Sequence, residues 1–361
     1  MKILFLVPYP TEGASNRVRV EQFIPYLRSH GVACAIRPFV SKRFFRILYQ
    51  PHHYAEKIFW FIVCTMGRIL DLIRAFRYDI VFIHREAYPI GGPIFESFLF
   101  YIGKLVIFDF DDAIFLPNTS EFNTYMERFK VPKKIARIIE MSRYVIAGND
   151  HLKNYALKYN SNVIVIPSSI NTEKYCPAQK EDSDDVIIGW IGSNTTKSFL
   201  YDLEDAFVEL SNRFNNLIIK IVGARFHSFK LKNIMNKEWS LEDEPKDLQS
   251  FDIGIMPMPD NEWTKGKCAY KALLYMACAK PVVASPVGTN KEVLDDGING
   301  FFARDKKEWV EKLSILIEDK KLRQDMGSRG RDKVVSNFSI DQTAPIFFET
   351  LKRALKYRDM R

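Results

Sequence analysis

The stretch FDIGIMPMPDNEWTKGKCAYKALLYMACAKPVVAS (251–285) contains an apolar run, a polar loop, a helical pattern and a second apolar run. The two apolar runs, FDIGIMP (251–257) and PVVAS (281–285), carry few polar residues, which is typical of parallel strands buried on both faces of a sheet. The segment between them predicts a crossover helix that begins near Lys267. The stretch therefore predicts a strand–helix–strand unit, from which doubly wound α/β folds are built.

The same alternation continues in both directions and occurs twice. The polar segment from Pro167 to Asp185 interrupts it, so we predict two Rossmann-like, doubly wound α/β domains with a boundary near 170–185. A last helix is predicted over 341–357. The predicted strands are 2–7, 32–39, 79–84, 104–110, 144–148 and 162–167 in the first domain, and 185–192, 217–223, 251–257, 281–285 and 300–303 in the second.

The composition limits the class of protein. A chain of 361 residues with 47% hydrophobic and 27% charged residues suits two soluble globular domains. The five cysteines are scattered without a C-x-x-C pair, which argues against disulfides or structural zinc and favours a reducing cytoplasm. The opening MKILFLVPYP (1–10) has a short apolar run, so we interpret it as a strand and not as a signal peptide. Charges interrupt the apolar stretch 58–76, which is not predicted to span a membrane.

Ligands of open α/β sheets bind at the carboxyl ends of the strands, so the residues that follow each strand are candidates. After the strand at 185–192, a turn contains Ser193 and Asn194, and Lys197 follows near the start of a helix. Free N–H groups, hydroxyls and a lysine at a helix start favour a pyrophosphate. The alternative is an ordinary capped helix with a surface lysine.

The loop after the strand at 251–257 is a second candidate anion site. Gly266 would allow close approach of the backbone, and Lys267 and Lys271 are one turn apart on one helix face. Lysines at a helix N-terminus oppose its macrodipole, and a bound anion would relieve that cost. We therefore predict that this loop binds the diphosphate.

The segment that follows the strand at 281–285 completes the predicted donor site. Thr289 and Asn290 come just after the strand end, where they could contact a sugar or a ribose. Glu292 is placed at the start of the next helix, either as a ribose contact or as a favourable charge at the helix N-terminus.

A first candidate site in the N-terminal half lies between strand 2–7 and a helix that we expect Ser15 to cap. Gly13 gives the loop freedom, and Arg17 and Arg19 could hold an anion. Solvated arginines on a helix surface are the alternative.

A second candidate site in this half follows two strand ends. His84 ends the strand at 79–84, and the run DFDDAIF (109–115) brings three carboxylates to the end of another strand. These carboxylates repel one another unless a divalent metal, an acceptor hydroxyl or nearby arginines come close. We do not predict a metal site at Asp109 and Asp111.

Three of these segments resemble the retaining glycosyltransferases of the glycogen-synthase-like family four, which have the GT-B fold. They are KILFLVPYP (2–10) with its glycine-containing loop, IPSSINTEKYCP (166–177), which is similar to the family's hinge, and the stretch 251–303. The resemblance covers almost the whole chain. It implies two Rossmann-like domains facing across a cleft, an N-terminal acceptor-side domain (1–170) onto which helix 341–357 packs back, and a C-terminal donor-binding domain (171–340).

The resemblance also implies a chemistry. The donor would be a nucleotide-diphosphate sugar, a UDP- or GDP-sugar, used with retention of configuration and without an obligatory metal or other cofactor. His84 falls where the family has a histidine that contacts the donor sugar, and Lys197 where it has a pyrophosphate-binding lysine. Two departures stand out. Gly266 and Leu274 occupy the positions of the family's glutamate pair, and the arginine that usually precedes Lys197 is missing; Lys267 and Lys271 would compensate for that cation.

We therefore predict a glycosyltransferase that extends a glycan or a lipid-linked acceptor, in cell-surface polysaccharide biosynthesis. In this interpretation the lysines stabilise the leaving diphosphate, His84 contacts the donor sugar, and Asp111 or Asp112 lies near the acceptor hydroxyl. The alternatives are a sugar-nucleotide epimerase or sugar phosphorylase of the same fold, and a catalytically silent partner subunit. A nucleic-acid partner is not expected, because the basic excess comes without aromatic stacking platforms.

The charge distribution adds a hypothesis about location. The whole net charge of +8 lies in residues 1–170, which hold 22 Lys and Arg against 14 Asp and Glu. Within SKRFFRILY (41–49) basic residues alternate with aromatic ones, and Trp60 and Phe61 follow on the next helix. We expect this domain to bind the anionic inner face of a membrane; the alternative is that the aromatics are core and the charges solvated. The basic residues concerned are Lys42, Arg43 and Arg46, with a second cluster of Lys130, Lys133, Lys134 and Arg137.

Overall fold

The structure is a computed structural model that describes residues 1–48, 50–116, 131, 133–178, 183–228, 230–231 and 233–356. The chain divides into two compact units, Met1–Ser168 together with Thr343–Arg361, and Ser169–Gln342. Each unit is built on a six-stranded sheet, and within the described residues the paired strands of both sheets run parallel. The predicted fold class is therefore confirmed.

The first unit is a parallel sheet in the order β2-β1-β3-β4-β5-β6. Its central strands are buried along nearly their whole length, which explains their continuous apolar sequences. The strands are β1 (Lys2–Val7), β2 (Ala33–Pro38), β3 (Ile80–His84), β4 (Leu105–Phe110), β5 (Tyr144–Ala147) and β6 (Val163–Val165). The helices are α1 (Ala14–Arg19), α2 (Ile24–Ser29), α3 (Lys42–Leu48), α4 (Tyr54–Ala75), α5 (Ile94–Tyr101), α6 (Lys134–Met141) and α7 (Asp150–Ala156).

The second unit repeats the plan in the order β12-β11-β10-β7-β8-β9. Its strands are β7 (Val186–Ile191), β8 (Leu217–Val222), β9 (Ile234–Lys237), β10 (Ile253–Met256), β11 (Val282–Ala284) and β12 (Gly300–Phe302). Its helices are α8 (Ser198–Tyr201), α9 (Glu204–Arg213), α10 (Glu244–Ser250), α11 (Glu262–Lys265), α12 (Tyr270–Ala277), α13 (Asn290–Val293), α14 (Lys306–Glu318) and α15 (Lys320–Asn337).

The last helix, α16 (Ile340–Lys356), belongs mostly to the first unit although it follows the second in sequence. The ring of Phe347 stacks on Phe23 with their centroids 4.6 Å apart and lies 5.4 Å from Phe82. This aromatic contact buries one face of α16 against the first unit, as its amphipathic sequence requires.

Three elements differ from the sequence-based prediction. The helix expected from Lys267 begins only at Tyr270, because Ala269 adopts a left-handed conformation (φ 51°) that separates α11 from α12. Ser15 lies inside α1, whose N-cap is Gly13. Strand β9 was not predicted, since its partly exposed sequence IMNK lacks an apolar run. All eleven predicted strands are present with ends within two residues of the prediction.

Helix α4 is the longest among the described residues, at 22 residues. Charged residues along it, Lys57, Arg68, Asp71 and Arg74, keep its sequence from being uniformly apolar. Across the described part of the chain, no helix combines the length and the hydropathy that crossing a membrane would need.

The aromatic residues of the membrane hypothesis are largely core. Phe44 is buried, and Phe45, Trp60 and Phe61 pack half-buried in one cluster with Phe39. The interpretation of Trp60 and Phe61 as exposed interfacial residues is therefore wrong, since both rings pack half-buried in this cluster.

The second basic cluster also differs from the prediction. Lys134 is buried and its ammonium donates a hydrogen bond to Glu86 at 2.9 Å. A lysine held in that way is not available to a membrane surface. Lys133 and Arg137 are exposed, and Lys130 lies outside the described residues.

Candidate functional site

The turn after β7 leaves no room for a side chain at Gly192 unless a neighbouring group moves. A Cβ atom on Gly192 would lie 2.4 Å from the ring of Trp190 and 2.6 Å from the ammonium nitrogen of Lys271. Such distances are far inside van der Waals contact, so any other residue would displace one of the two groups. The turn at the carboxyl end of β7 is thereby packed directly against the side chain that reaches it from α12.

Lys271 is held at this turn by two contacts. Its ammonium group lies 4.1 Å from the centre of the Trp190 ring and donates a hydrogen bond of 3.0 Å to the Thr196 hydroxyl. Although part of the side chain stays exposed, burial of its ammonium, together with the charge of Lys267, lowers the pKa of Lys271 to about 7. An anion bound beside it would reverse that shift, so the site is suited to a negatively charged group.

Lys267 lies on the neighbouring loop, and its ammonium group also contacts a tryptophan ring. Its ammonium group is 3.7 Å from the centre of the Trp263 ring. Trp263 is part of the four-residue helix α11, which is fixed by reciprocal hydrogen bonds between Asn261 and Thr264. The loop after β10 therefore presents its lysine from a rigid support.

The positions of the turn residues around Lys271 agree in part with the prediction from the sequence. Ser193 and Asn194 are exposed in the turn after β7, and the Ser193 and Thr195 hydroxyls are hydrogen bonded at 2.7 Å. Lys197 is the N-cap of α8 and not a residue inside it. Since Thr196 is the hydrogen-bond partner of Lys271, the structure brings the segment of Lys197 to the ammonium of Lys271.

The close backbone approach that the sequence suggested at Gly266 stays a prediction, because the backbone angles of Gly266 neither require nor exclude it. This residue closes α11 with φ −74° and ψ −7°, an ordinary right-handed conformation that any residue can adopt. Leu274, at the other position of the family's glutamate pair, is 2% exposed inside an apolar cluster. A carboxylate there would be buried among apolar side chains, which explains why this backbone carries leucine.

Some residues of the loop after β11 are buried and hold the loop itself together. Asn290 is fully buried and its amide donates to the carbonyl oxygen of Ser285 at 2.9 Å. The amide nitrogen of Asn290 holds the loop together, whereas its Oδ1 atom is buried without a hydrogen-bond partner among the described residues, so the expected contact with a sugar or ribose stays a prediction. Thr289 is also buried, as the N-cap of α13, while Glu292 is exposed in the first turn of that helix.

The first unit holds a buried chain of polar groups at the ends of β3 and β4. Nδ1 of His84 lies 2.7 Å from a carboxylate oxygen of Asp109, and Nε2 of His84 is hydrogen bonded to the Ser15 hydroxyl. Arg19 binds the same carboxylate in a forked contact, at 2.5 and 3.2 Å. His84, Asp109 and Arg19 are 0%, 0% and 2% exposed. Both ring nitrogens of His84 are therefore engaged within the protein, and the expected contact of His84 with a donor sugar stays a prediction.

This chain corrects the expectation for Arg19. We expected it to hold an anion beside Arg17, but its guanidinium neutralises Asp109 and donates to the carbonyl of Ile166 at 2.7 Å. Arg17 donates to the carbonyl oxygens of Thr11 and Glu12. Gly13 is required, because a Cβ atom there would lie 2.6 Å from Cβ of Tyr9. Both Gly13 and Arg17 thus shape the loop after β1.

Asp111 and Asp112 lie beside a second arginine. Arg85 Nε donates to Asp111 at 2.9 Å, and its guanidinium is 3.9 Å from Asp112. Burial alone would raise the pKa of Asp111, but the charges of Arg85, His84 and Arg19 outweigh it and hold that pKa well below its usual value. Three groups could offset the repulsion among these carboxylates: a divalent metal, an acceptor hydroxyl or nearby arginines. The structure shows the arginines.

Sequence reasoning missed several of these residues. Arg85 adopts a left-handed conformation (φ 64°), and only its position after a strand marked it. Trp190 and Trp263 support the two lysines, but the sequence gives no sign of which lysine each ring contacts. Within the described residues no group of three or more His, Cys, Asp or Glu side chains is placed to hold a metal ion.

Comparison with known proteins agrees with this geometry. Residues 185–319 match the family described as Glycosyl transferases group 1. An uncharacterized glycosyltransferase of Methanocaldococcus jannaschii is 25% identical over 276 residues, covering 73% of this chain and 72% of that protein.

Two solved structures share the fold over nearly the whole chain. A glycosyltransferase from Rickettsia africae has a TM-score of 0.71 at 18% identity, covering 98% of both chains. Anabaena HepE, solved in complex with UDP-glucose, has a TM-score of 0.70 at 15% identity, covering 98% of this chain and 100% of that one. At these identities the likeness concerns the two-domain α/β architecture.

Proposed function

We propose a specific reaction for this chain, which is a glycosyltransferase of the GT-B fold with a group 1 domain: transfer of a sugar from a nucleotide diphosphate to a glycan or lipid-linked acceptor, with retention of configuration. The donor would be a UDP- or GDP-sugar, used without a metal or other cofactor. Anabaena HepE, a protein of the same fold, binds UDP-glucose, which supports a UDP-sugar first.

The observation that carries this proposal is the environment of Lys271. A lysine whose pKa is lowered to about 7 and whose partners are an aromatic ring and one hydroxyl is costly to keep charged. A diphosphate at the turn after β7 would supply the missing negative charge. Lys197 and Lys267, which lie on the adjoining segments, would share that diphosphate.

The chemistry follows from where charge develops. As the bond between the sugar and the diphosphate breaks, negative charge grows on the leaving phosphate oxygen, and fixed cations stabilise it more than they stabilise the intact donor. In front-face retaining chemistry that phosphate oxygen accepts the proton of the acceptor hydroxyl, so no separate protein base is needed. Four residues are proposed to contact the donor around this position: Ser193, Asn194, Thr289 and Glu292. Gly266 would line the loop beside them.

The first unit is proposed to contribute the acceptor side. Asp111 and Asp112 lie at the carboxyl end of β4, where an acceptor hydroxyl could be oriented by their oxygens. His84 acts in this proposal through Ser15, the residue that covers its Nε2 atom. Gly13 and Arg17, which fix the loop after β1, are proposed to contact the donor. Cell-surface polysaccharide synthesis at the inner face of a membrane is the setting that fits a lipid-linked acceptor.

A panel of nucleotide diphosphates and nucleotide sugars tests this proposal. A ligand that binds only the folded protein raises its melting temperature, so UDP, GDP and their sugars are compared by thermal shift. We expect UDP or GDP to stabilise the protein and the matching sugar donor to be turned over with release of the nucleotide. If no nucleoside diphosphate shifts the melting temperature at millimolar concentration, the proposed donor site is wrong.

A further inference from the structure

Helix α4 buries two charged residues and exposes large apolar ones, which is the reverse of an ordinary surface helix. The residues it turns toward the sheet are Cys64, Arg68, Asp71 and Ala75, so the buried stripe contains an ion pair. Arg68 donates to the backbone carbonyls of Val7 and Arg37 and is almost completely buried. The guanidinium of Arg68 is therefore bound from within the first unit through its two terminal nitrogens.

The apolar side of α4 faces outward. Its large residues follow one another at helical spacing and lie on the side opposite to the buried stripe. Between 41% and 62% of each side chain is exposed. Single exposed apolar residues are common, but a stripe along five turns of one helix marks a binding surface. We call this stripe the α4 face; it consists of Ile58, Phe59, Ile62, Met66, Ile69, Leu70 and Ile73.

Basic residues flank the α4 face. Residues 41–77 contain seven lysines and arginines against two acidic residues, Glu56 and Asp71; Arg68 and Asp71 are buried as an ion pair, which leaves six basic residues and one acidic residue. Arg43, Arg46 and Arg77 are exposed at either end of this stretch. The apolar surface is thus bordered by positive charge.

We propose that the α4 face docks on an anionic lipid bilayer, with the helix lying in the plane of the interface. An apolar stripe would sink among the acyl chains while the flanking arginines contact phosphate headgroups. A second copy of the chain fits less well, because a two-fold contact through this face would bring the same basic flanks together. The inference deepens the proposed function, since a lipid-linked acceptor resides in such a bilayer, and that part of it rests on the proposed function.

Vesicle sedimentation tests the docking without any assay of activity. The full chain is mixed with vesicles of phosphatidylcholine alone or with phosphatidylglycerol, at low and high salt. We expect it to pellet with the anionic vesicles. The variant Ile62→Gln/Met66→Gln/Ile73→Gln should bind at least tenfold more weakly, and Arg43→Gln/Arg46→Gln/Arg77→Gln should lose the part of the binding that depends on salt.

A matched control replaces exposed apolar residues of the second unit, Met235→Gln/Ile298→Gln/Val335→Gln, which should bind vesicles like the wild type. Nucleotide-induced thermal shifts, measured on the same preparations, report separately on the donor site. The proposal is overturned if the wild type stays in solution with anionic vesicles at low salt, or if the control variant loses binding equally. It is also overturned if the chain is a dimer without lipid and the α4 variant makes it a monomer.

Discussion

The carboxyl ends of the two sheets carry charge in different ways. At the ends of β3 and β4 the charges are paired within the protein: Arg19 with Asp109, and Arg85 with Asp111, at 2.5 and 2.9 Å. At the ends of β7 and β10 the cations lie over aromatic rings, Lys271 over Trp190 and Lys267 over Trp263. An ion pair neutralises a charge, whereas the Trp190 ring supports the ammonium group of Lys271 without neutralising it.

This difference assigns different physical tasks to the two regions. The paired charges of the first unit hold His84 and Ser15 in a defined arrangement, so their removal should affect stability. Lys271 of the second unit should matter little to the stability of the free protein and much to the binding of an anion. Each prediction below tests one side of that contrast.

The largest expected effect is on stability in the first unit. Asp109→Asn leaves the buried Arg19 guanidinium without its counter-charge, so we expect the free energy of unfolding to fall by about 3–5 kcal/mol. Denaturant unfolding measures the change. Asp112→Asn, which removes a neighbouring carboxylate that is partly exposed, is the matched control and should cost below about 1 kcal/mol. Equal losses of unfolding free energy in the two variants would mean that the buried Arg19–Asp109 pair contributes no more to stability than a partly exposed carboxylate.

The second effect is on ligand binding in the second unit. Lys271→Ala and Lys197→Ala should each weaken UDP binding by about 1.5–3 kcal/mol, the usual contribution of a charge-assisted hydrogen bond. Titration calorimetry measures the affinities. Lys265→Ala is the control, because Lys265 is paired with Glu262 at 2.8 Å and should leave the affinity unchanged. Full affinity in both of the first two variants would remove the diphosphate from this site.

The smallest effect expected is that of chelation. Because arginines neutralise the carboxylates after β4 and lysines are proposed to neutralise the leaving diphosphate, turnover should survive excess EDTA. The rate of nucleotide release with and without EDTA measures this. A rate that vanishes with EDTA and returns with a divalent ion would show that the carboxylates or the diphosphate need a metal after all.

The fold could be predicted from the sequence because burial on both faces leaves a local signal. Each predicted strand is an apolar run, and its ends are marked by polar or turn residues. Strand β9 and the break at Ala269 were missed for the opposite reason. An edge strand need not be apolar, and a left-handed alanine leaves no trace in composition.

The candidate site could be predicted only in part. Strand ends located Lys197, Lys271, His84 and Asp111, because topology alone brings them to the carboxyl edge of a sheet. The partners could not be predicted. Arg19 meets Asp109 across 90 positions of sequence, and nothing local distinguishes it from Arg17. Pairings of this kind depend on tertiary packing, and they decide which cation is engaged and which is available.

Proton uptake on nucleotide binding tests the account of Lys271 most directly. The free group has a pKa of about 7, so above that pH it is mostly neutral, and a bound diphosphate should raise its pKa and draw in a proton. Between pH 7.5 and 8.5 we therefore expect UDP affinity to fall as pH rises, by at most about tenfold per unit. Calorimetry at pH 7.8 in two buffers of different ionisation enthalpy should show uptake approaching one proton in the wild type and none in Lys271→Arg. Equal binding enthalpies in the two buffers for the wild type would contradict the account.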